Sequence, residues 1–264
     1  LIIDMHVHFF PENVAPKVTQ HLADHYGIDV PYQGTLAEYS KMRLSSRVDT
    51  AVFFTAATKP EQVQSANIWA KSNTGGAYIG FGTLHPDYHD IDGEIKKLKD
   101  WGVKGVKFHP DFQQFYLDDA KALTIYEKMA KDFIIIFHVG DEENGNNTVY
   151  SSPRRLANVL DNIPNLRVIA AHMGGYKMWD LSMQWLVGKE VYFDTSSTFG
   201  ILPDEQFKNL IKEHGYHRIL LGSDYPYNDP QRELRCLSGL GLKDKQYQAI
   251  IGENAKKLLA GVGL

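Results

Sequence analysis

Short apolar runs alternate along the chain with longer stretches in which apolar residues recur every three or four positions. The runs occupy residues 1–8, 51–55, 77–83, 103–109, 133–139, 166–172, 191–196 and 218–223. Two of them, Ile134-Ile135-Ile136-Phe137 and Val168-Ile169-Ala170-Ala171, are apolar at every position. A strand with one wet face alternates, so unbroken runs predict parallel strands buried on both faces. Helical patterns fill 35–46, 60–72, 91–101, 119–131, 152–162, 176–187, 204–214 and 243–259. In one of these, Leu123, Tyr126 and Met129-Ala130 recur at helical steps behind Asp118 or Asp119, either of which can cap the helix. In another, Asp204 and Glu205 follow Pro203, where acidic groups suit the positive end of a helix. No period is assigned to residues 11–33, and Asn144-Gly145-Asn146-Asn147 reads as a surface loop tip.

Eight strand-helix units in 264 residues leave about 33 residues for each. That economy predicts an α/β protein, a TIM (β/α)8 barrel with residues 1–264 as a single domain, since ~250 residues is typical of that closure. An open doubly wound sheet is the alternative, but no glycine-rich phosphate loop follows the first strand to favour it.

Composition narrows the setting without naming a chemistry. With 43% hydrophobic and 23% charged residues the chain is an ordinary globular sequence, which excludes a disordered one. The single cysteine, Cys236, excludes a disulfide framework and a multi-thiolate zinc finger, and points to a cytoplasmic setting. A net charge of -4 gives no basic footprint for nucleic acid. No apolar run approaches the ~18 residues needed to cross a membrane. The opening Leu1-Ile2-Ile3-Asp4 meets a carboxylate at once, unlike a signal peptide. Nucleic acid and membranes are therefore not expected partners, and the expectation of a small-molecule substrate comes from the residues at the strand ends instead.

The eleven histidines supply the chemistry. His6 and His8 close the first strand, His138 the fifth and His172 the sixth; Asp224 follows the eighth. His85 and His109 end the third and fourth, each followed by proline. Barrel enzymes build their sites where strand C-terminal ends surround one mouth, so these distant residues should converge. On a strand, residues i and i+2 face the same side about 6.5–7 Å apart, so His6 and His8 can reach one ion. His138 from across the mouth and Asp224 would complete a nitrogen and oxygen set suited to Zn2+, Mn2+, Co2+ or Fe2+.

The segments Asp4-Met5-His6-Val7-His8, His138-Val139-Gly140, His172-Met173-Gly174-Gly175 and Gly222-Ser223-Asp224-Tyr225-Pro226 resemble the amidohydrolase superfamily. The likeness is strongest to the amidohydrolase-related branch that includes aminocarboxymuconate-semialdehyde decarboxylase and several lactonases. Gly252-Glu253-Asn254-Ala255-Lys256-Lys257-Leu258 is similar to its closing helix, so the resemblance runs from the first strand nearly to the end. It implies one divalent transition metal, Zn2+ foremost, held by His6, His8, His138 and Asp224. It also implies catalytic roles for Asp224, as proton acceptor, and for His172, which orients the nucleophile or polarises the substrate. The implied activity is hydrolysis of a small amide, lactone or ester by a metal-activated water. The same cage in that branch also supports non-oxidative decarboxylation of a small unsaturated or aromatic carboxylic acid, which stays open. Homodimers are common in the branch, though no interface is marked in the sequence.

One departure concerns the fourth strand, where binuclear superfamily members carry a carboxylated lysine bridging two metals. Parity puts Lys107 and His109 on one face of Val103-Lys104-Gly105-Val106-Lys107-Phe108-His109. Lys107 can therefore hold a second metal as a carbamate, bind a substrate carboxylate or oxyanion as an ammonium, or snorkel outward along the rim. His109 is a candidate substrate contact, and His85 a weaker one. Asp4 shares the parity of His6 and His8 but sits deeper, which suits hydrogen-bonded support. Thr195, Ser196 and Ser197 can bind substrate or cap the next turn. Phe9, Phe10, Phe112, Tyr225 and Tyr227 can form an apolar wall, while His21, His25, His89, His214 and His217 are expected to be solvated.

Overall fold

The computed structural model describes residues 1–140 and 148–264, so the loop tip expected at 144–147 lies outside the described residues. Nine strand segments are present among them: β1 (Ile3–Val7), β2 (Thr50–Phe53), β3 (Tyr78–Gly80), β4 (Gly82–Thr83), β5 (Gly105–Phe108), β6 (Ile134–Phe137), β7 (Arg167–Ala170), β8 (Tyr192–Asp194) and β9 (Ile219–Leu220). All pair in parallel, as β1-β2-β3 and as β4 through β9 in sequence order. The third expected strand is divided at Phe81, where the chain changes partners. Phe81 N still donates to Phe53 O of β2 (2.9 Å), whereas the next residue, Gly82, registers with Val106 of β5.

The seam between β9 and β1 is hydrogen-bonded. Met5 N donates to Leu221 O, Asp224 N to His6 O and His8 N to Tyr225 O, each at 2.8 Å. The eight strand positions thus run round the expected (β/α)8 barrel. Ile3, Met5, Val52, Phe54, Phe81, Ile134, Ile136, Ile169 and Leu220 form one buried interior cluster, closed off by Ala255, Leu258 and Leu259 of helix Asn254–Ala260. The alternate positions, among them Val106, Phe108, Ile135, Phe137 and Val168, pack outward with helix residues such as Leu98, Tyr126 and Leu156. Burial on both sides is why the runs are unbroken.

Helices Leu36–Ser46, Val63–Ser72, Ile91–Asp100, Ala120–Met129, Pro153–Asn162, Trp179–Trp185 and Asp204–His214 fall within the predicted stretches. Helix Pro230–Gly239, capped by Asp229, carries Cys236. Other details differ from the sequence reading. A helix, Ala15–Tyr26, forms where no period was assigned, entered through Pro16 and ended by Gly27 at φ 62. Asp119 stands at the N-cap position of Ala120–Met129, but its carboxylate accepts from Tyr116 N (3.1 Å). Asp118 is engaged by Arg155 and Asn158, so neither side chain caps that helix. The last predicted helix is interrupted by a π turn, Ala249–Glu253, whose wider geometry lets Ile250 O accept from Leu221 N (3.0 Å) at the end of β9. None of the described helices is long and apolar enough to cross a membrane.

His214 is a further correction. It is buried, stacks on Phe193 with ring centroids 3.9 Å apart, and uses both ring nitrogens. Nε2–H donates to Val191 O (2.8 Å) and Nδ1 accepts from Gly188 N (3.3 Å). The apolar face of helix Asp204–His214, with Phe207, Leu210 and Ile211, carries its imidazole inward with it.

Candidate metal centre

The β1–β2 register shifts between Asp4 and Val7. Such an irregularity re-aims side chains. Ile3 and Met5 therefore join the interior cluster, while His6 and His8 reach the mouth. Asp4 does not share their direction. Its Oδ2 accepts from Tyr39 Oη (2.8 Å) on helix Leu36–Ser46, and its Oδ1 from Ser223 N (2.9 Å) and His6 N (3.3 Å). Burial raises its pKa in spite of these donors. It supports the β9–β1 seam from behind, as a structural carboxylate.

On the other side of the seam, a Cβ at Gly222 would lie 2.8 Å from His6 Cβ, so glycine lets the chain pass close behind the imidazole. Four non-glycine residues at the mouth, Gln114, His172, Ser197 and Asp224, adopt left-handed backbone at φ 57, 59, 46 and 60. Strained conformations of this kind collect at functional sites.

The hydrogen-bond partners fix which ring nitrogens carry protons. A carbonyl only accepts, so His8 Nδ1–H points to Phe54 O (3.1 Å). Asp194 Oδ2 accepts from His6 Nδ1 (2.8 Å). Burial raises the pKa of Asp194, but electrostatic attraction and a hydrogen bond from His6, with His172 and Ser196, outweigh it and hold the carboxyl below its usual range. In the neutral form of each ring, Nε2 is then left with a lone pair. The two Nε2 atoms lie 3.2 Å apart, and each is 3.3 Å from Asp224 Oδ1.

Three acceptors brought this close call for a cation. A point equidistant from three corners lies at the mean edge divided by √3, about 1.9 Å from each atom for these separations. That spacing is compatible with metal–nitrogen and metal–oxygen bonds of about 2.0–2.2 Å, so the donor set fits a metal that His6, His8 and Asp224 would hold. His6, His172 and Asp224 also offer ligand atoms that all lie within 4.8 Å of one another. Asp224 is buried, which raises its pKa, yet His6, His8 and His172 hold it well below the usual carboxylate value.

His172 and His138 are coupled. His172 Nδ1 faces Ser196 O at 3.1 Å, which fixes its proton there and leaves Nε2 to accept from His138 Nδ1 (3.1 Å). His138 Nε2 then carries a lone pair as well. Burial pushes the pKa of His172 down to about 3.

A cavity of about 1060 Å3 opens over this cluster. Lys107 lies at its base, 1% exposed with Nζ 5.0 Å from the centre of the Phe54 ring, so it does not snorkel outward. His109 lines the cavity too, its ring stacked between Phe112 and His138 at 4.1 Å from each. His85 Nδ1 accepts from Asp87 N (3.1 Å) at the edge of the cavity. Of the expected apolar wall, Phe10, Phe112 and Tyr227 line the cavity, whereas Phe9 and Tyr225 are buried beside Tyr39 and Phe53. The hydroxyls after β8 act on the protein itself: Ser197 donates to Asp224, Ser196 to Asp194, and Thr195 Oγ1 donates to Gly222 O (3.2 Å).

Asp194, which accepts from His6 Nδ1 and His172 N beside the cluster, is a residue that sequence reasoning missed. It ends β8 just as His138 and His172 follow β6 and β7, so a carboxylate at a strand end was the available signal.

A family model described as amidohydrolase matches residues 3–260, and the chain belongs to that family of enzymes. Among solved structures it is similar to an uncharacterized TIM-barrel protein from Bordetella bronchiseptica, with TM-score 0.79 and 16% identity over 100% of this chain and 99% of that one. It is also similar to 2,6-dihydroxybenzoate decarboxylase from Rhizobium, with TM-score 0.73, 15% identity and 98% of each chain covered. A third is a candidate 2-pyrone-4,6-dicarboxylic acid hydrolase from Pseudomonas putida, with TM-score 0.67 and 16% identity over 98% of this chain and 97% of that one. No curated protein sequence matches the chain. The likenesses support the barrel fold.

Proposed function

We propose that the chain is a metal-dependent hydrolase acting on a carbonyl substrate, an amide, lactone or ester. His6, His8, His138 and Asp224 would hold one divalent transition metal, with Zn2+ suited to three nitrogens and one oxygen. The observation that carries this reading is the approach of His6 Nε2, His8 Nε2 and Asp224 Oδ1 to 3.2–3.3 Å while both Nδ1 protons are committed elsewhere. When bound, such an ion supplies Lewis acidity and lowers the pKa of a water from 15.7 to about 7.

The side chains divide the remaining work. Asp224, ionised at neutral pH, takes the proton of the attacking water and returns it to the leaving group. Ser197 holds its other oxygen and so fixes the carboxylate plane. His172 stands 3.9 Å from Asp224 Oδ2 and steadies His138, which places a neutral proton-handling group beside the carboxylate. Lys107 offers a cation to a substrate carboxylate or oxyanion at the base of the cavity, and His109 shapes the wall next to it.

Decarboxylation is the second reading. The similar Rhizobium protein is a 2,6-dihydroxybenzoate decarboxylase, and a buried lysine at the cavity base suits a carboxylate substrate. The test is a panel of lactones, esters and amides run against aromatic and muconate-type carboxylic acids, with CO2 detection. Turnover of the first group without CO2 supports hydrolysis. CO2 release from the acids alone would replace hydrolysis by carboxy-lyase chemistry.

A further inference from the structure

Helix Ala15–Tyr26 and the turn before it carry an apolar stripe that faces the cavity and not the core. Val14, Val18, Leu22 and Tyr26 recur every fourth residue, on one helical face, and all four line the cavity above the histidine cluster. Of the twelve residues of the helix only Ala15 is buried. Tyr26 closes the far end of the stripe against Phe112 and Tyr227, with ring centroids 6.1 and 5.9 Å away. Phe10 and Trp69 continue the same wall. An apolar surface held open to water in this way gains free energy when a ligand covers it. The cavity, about 1060 Å3, slightly exceeds the ~300–1,000 Å3 usual for sites that enclose drug-sized ligands. A single-ring acid or lactone seated at the histidine cluster does not fill a cavity of this size.

We propose that the substrate is an amphiphile, with its reacting carbonyl at the histidine cluster and an apolar body longer than one ring lying along Val18 and Leu22. The placement of the head rests on the metal-hydrolase reading; the apolar wall is independent of it. The experiment titrates Zn2+-loaded protein with acetohydroxamic, hexanohydroxamic and octanohydroxamic acids by calorimetry. In parallel, metal-free protein is titrated with butanoate, hexanoate and octanoate. Affinity in both series should rise about two- to fourfold for each added methylene. Leu22→Asp, and the milder Leu22→Ser, should weaken octanohydroxamate at least tenfold while leaving acetohydroxamate unchanged. Affinity that stays flat with chain length in the carboxylate series, or an equal loss for short and long hydroxamates in the variants, would overturn the proposal. Failure of acetohydroxamate to bind would instead overturn the metal reading, with the carboxylate series still deciding the wall.

Discussion

Asp194→Asn exchanges one oxygen for an amide nitrogen and tests how the His6 ligand atom is set. In the native site Oδ2 only accepts, so His6 Nδ1 donates across 2.8 Å and Nε2 keeps its lone pair. An amide NH2 in that position only donates. His6 must then accept at Nδ1, and its proton moves to Nε2, the atom that would hold the proposed ion. Turning the amide round does not rescue the site, because its NH2 would face His172 N (3.1 Å) and Ser196 N (3.2 Å), both donors. Partners that orient ligating histidines are typically worth 10–100-fold in metal affinity, about 1.4–2.7 kcal/mol. Zn2+ affinity, measured by competition with a chromophoric chelator, should fall by that factor. The melting temperature of the metal-free variant should stay within a few degrees of wild type. Wild-type affinity in a folded Asp194→Asn protein would refute the tautomer argument.

His172→Ala should lower kcat by about 10²–10⁴-fold with metal content unchanged; loss of the metal with the activity would make His172 a ligand. His214 is held neutral, its pKa pushed down by burial to about 4 against an ordinary 6.5. Because protonation favours the unfolded chain, this residue's contribution is complete above about pH 6.5 and is lost as pH falls toward 4, by about 3 kcal/mol in all. Urea titrations should show that difference between wild type and His214→Phe, and parallel pH slopes for the two would exclude it. Leu258→Ala, at the closed end of the interior cluster, should cost about 2–5 kcal/mol in urea unfolding with activity per folded molecule retained. A loss below about 1 kcal/mol would mean that the helix does not seal the barrel.

Much of the barrel was legible because its strands are buried on both faces, which writes an unbroken apolar run into residues such as 134–137. The convergence of His6, His8, His138, His172 and Asp224 followed from strand-end placement, which the topology turns into proximity. Parity failed at Asp4, since a register shift within β1 is a tertiary event that no alternation records. Helix Ala15–Tyr26 was missed because its apolar residues sit four apart on one face without the denser pattern of a core helix, a consequence of facing a cavity. His214 was misjudged for the opposite reason: a polar residue on an inward helical face is buried when both its nitrogens find partners. Asp194 was overlooked because a single carboxylate ending a strand carries no motif, and its importance appears only with the ring nitrogen 2.8 Å away.

The most direct measurement is an anomalous-scattering map, collected at the absorption edge of the metal found in the purified protein. One peak per chain is expected, about 2.0–2.2 Å from His6 Nε2, His8 Nε2 and Asp224 Oδ1. No peak among these three atoms, or two peaks bridged by a carboxylated Lys107, would contradict the mononuclear centre.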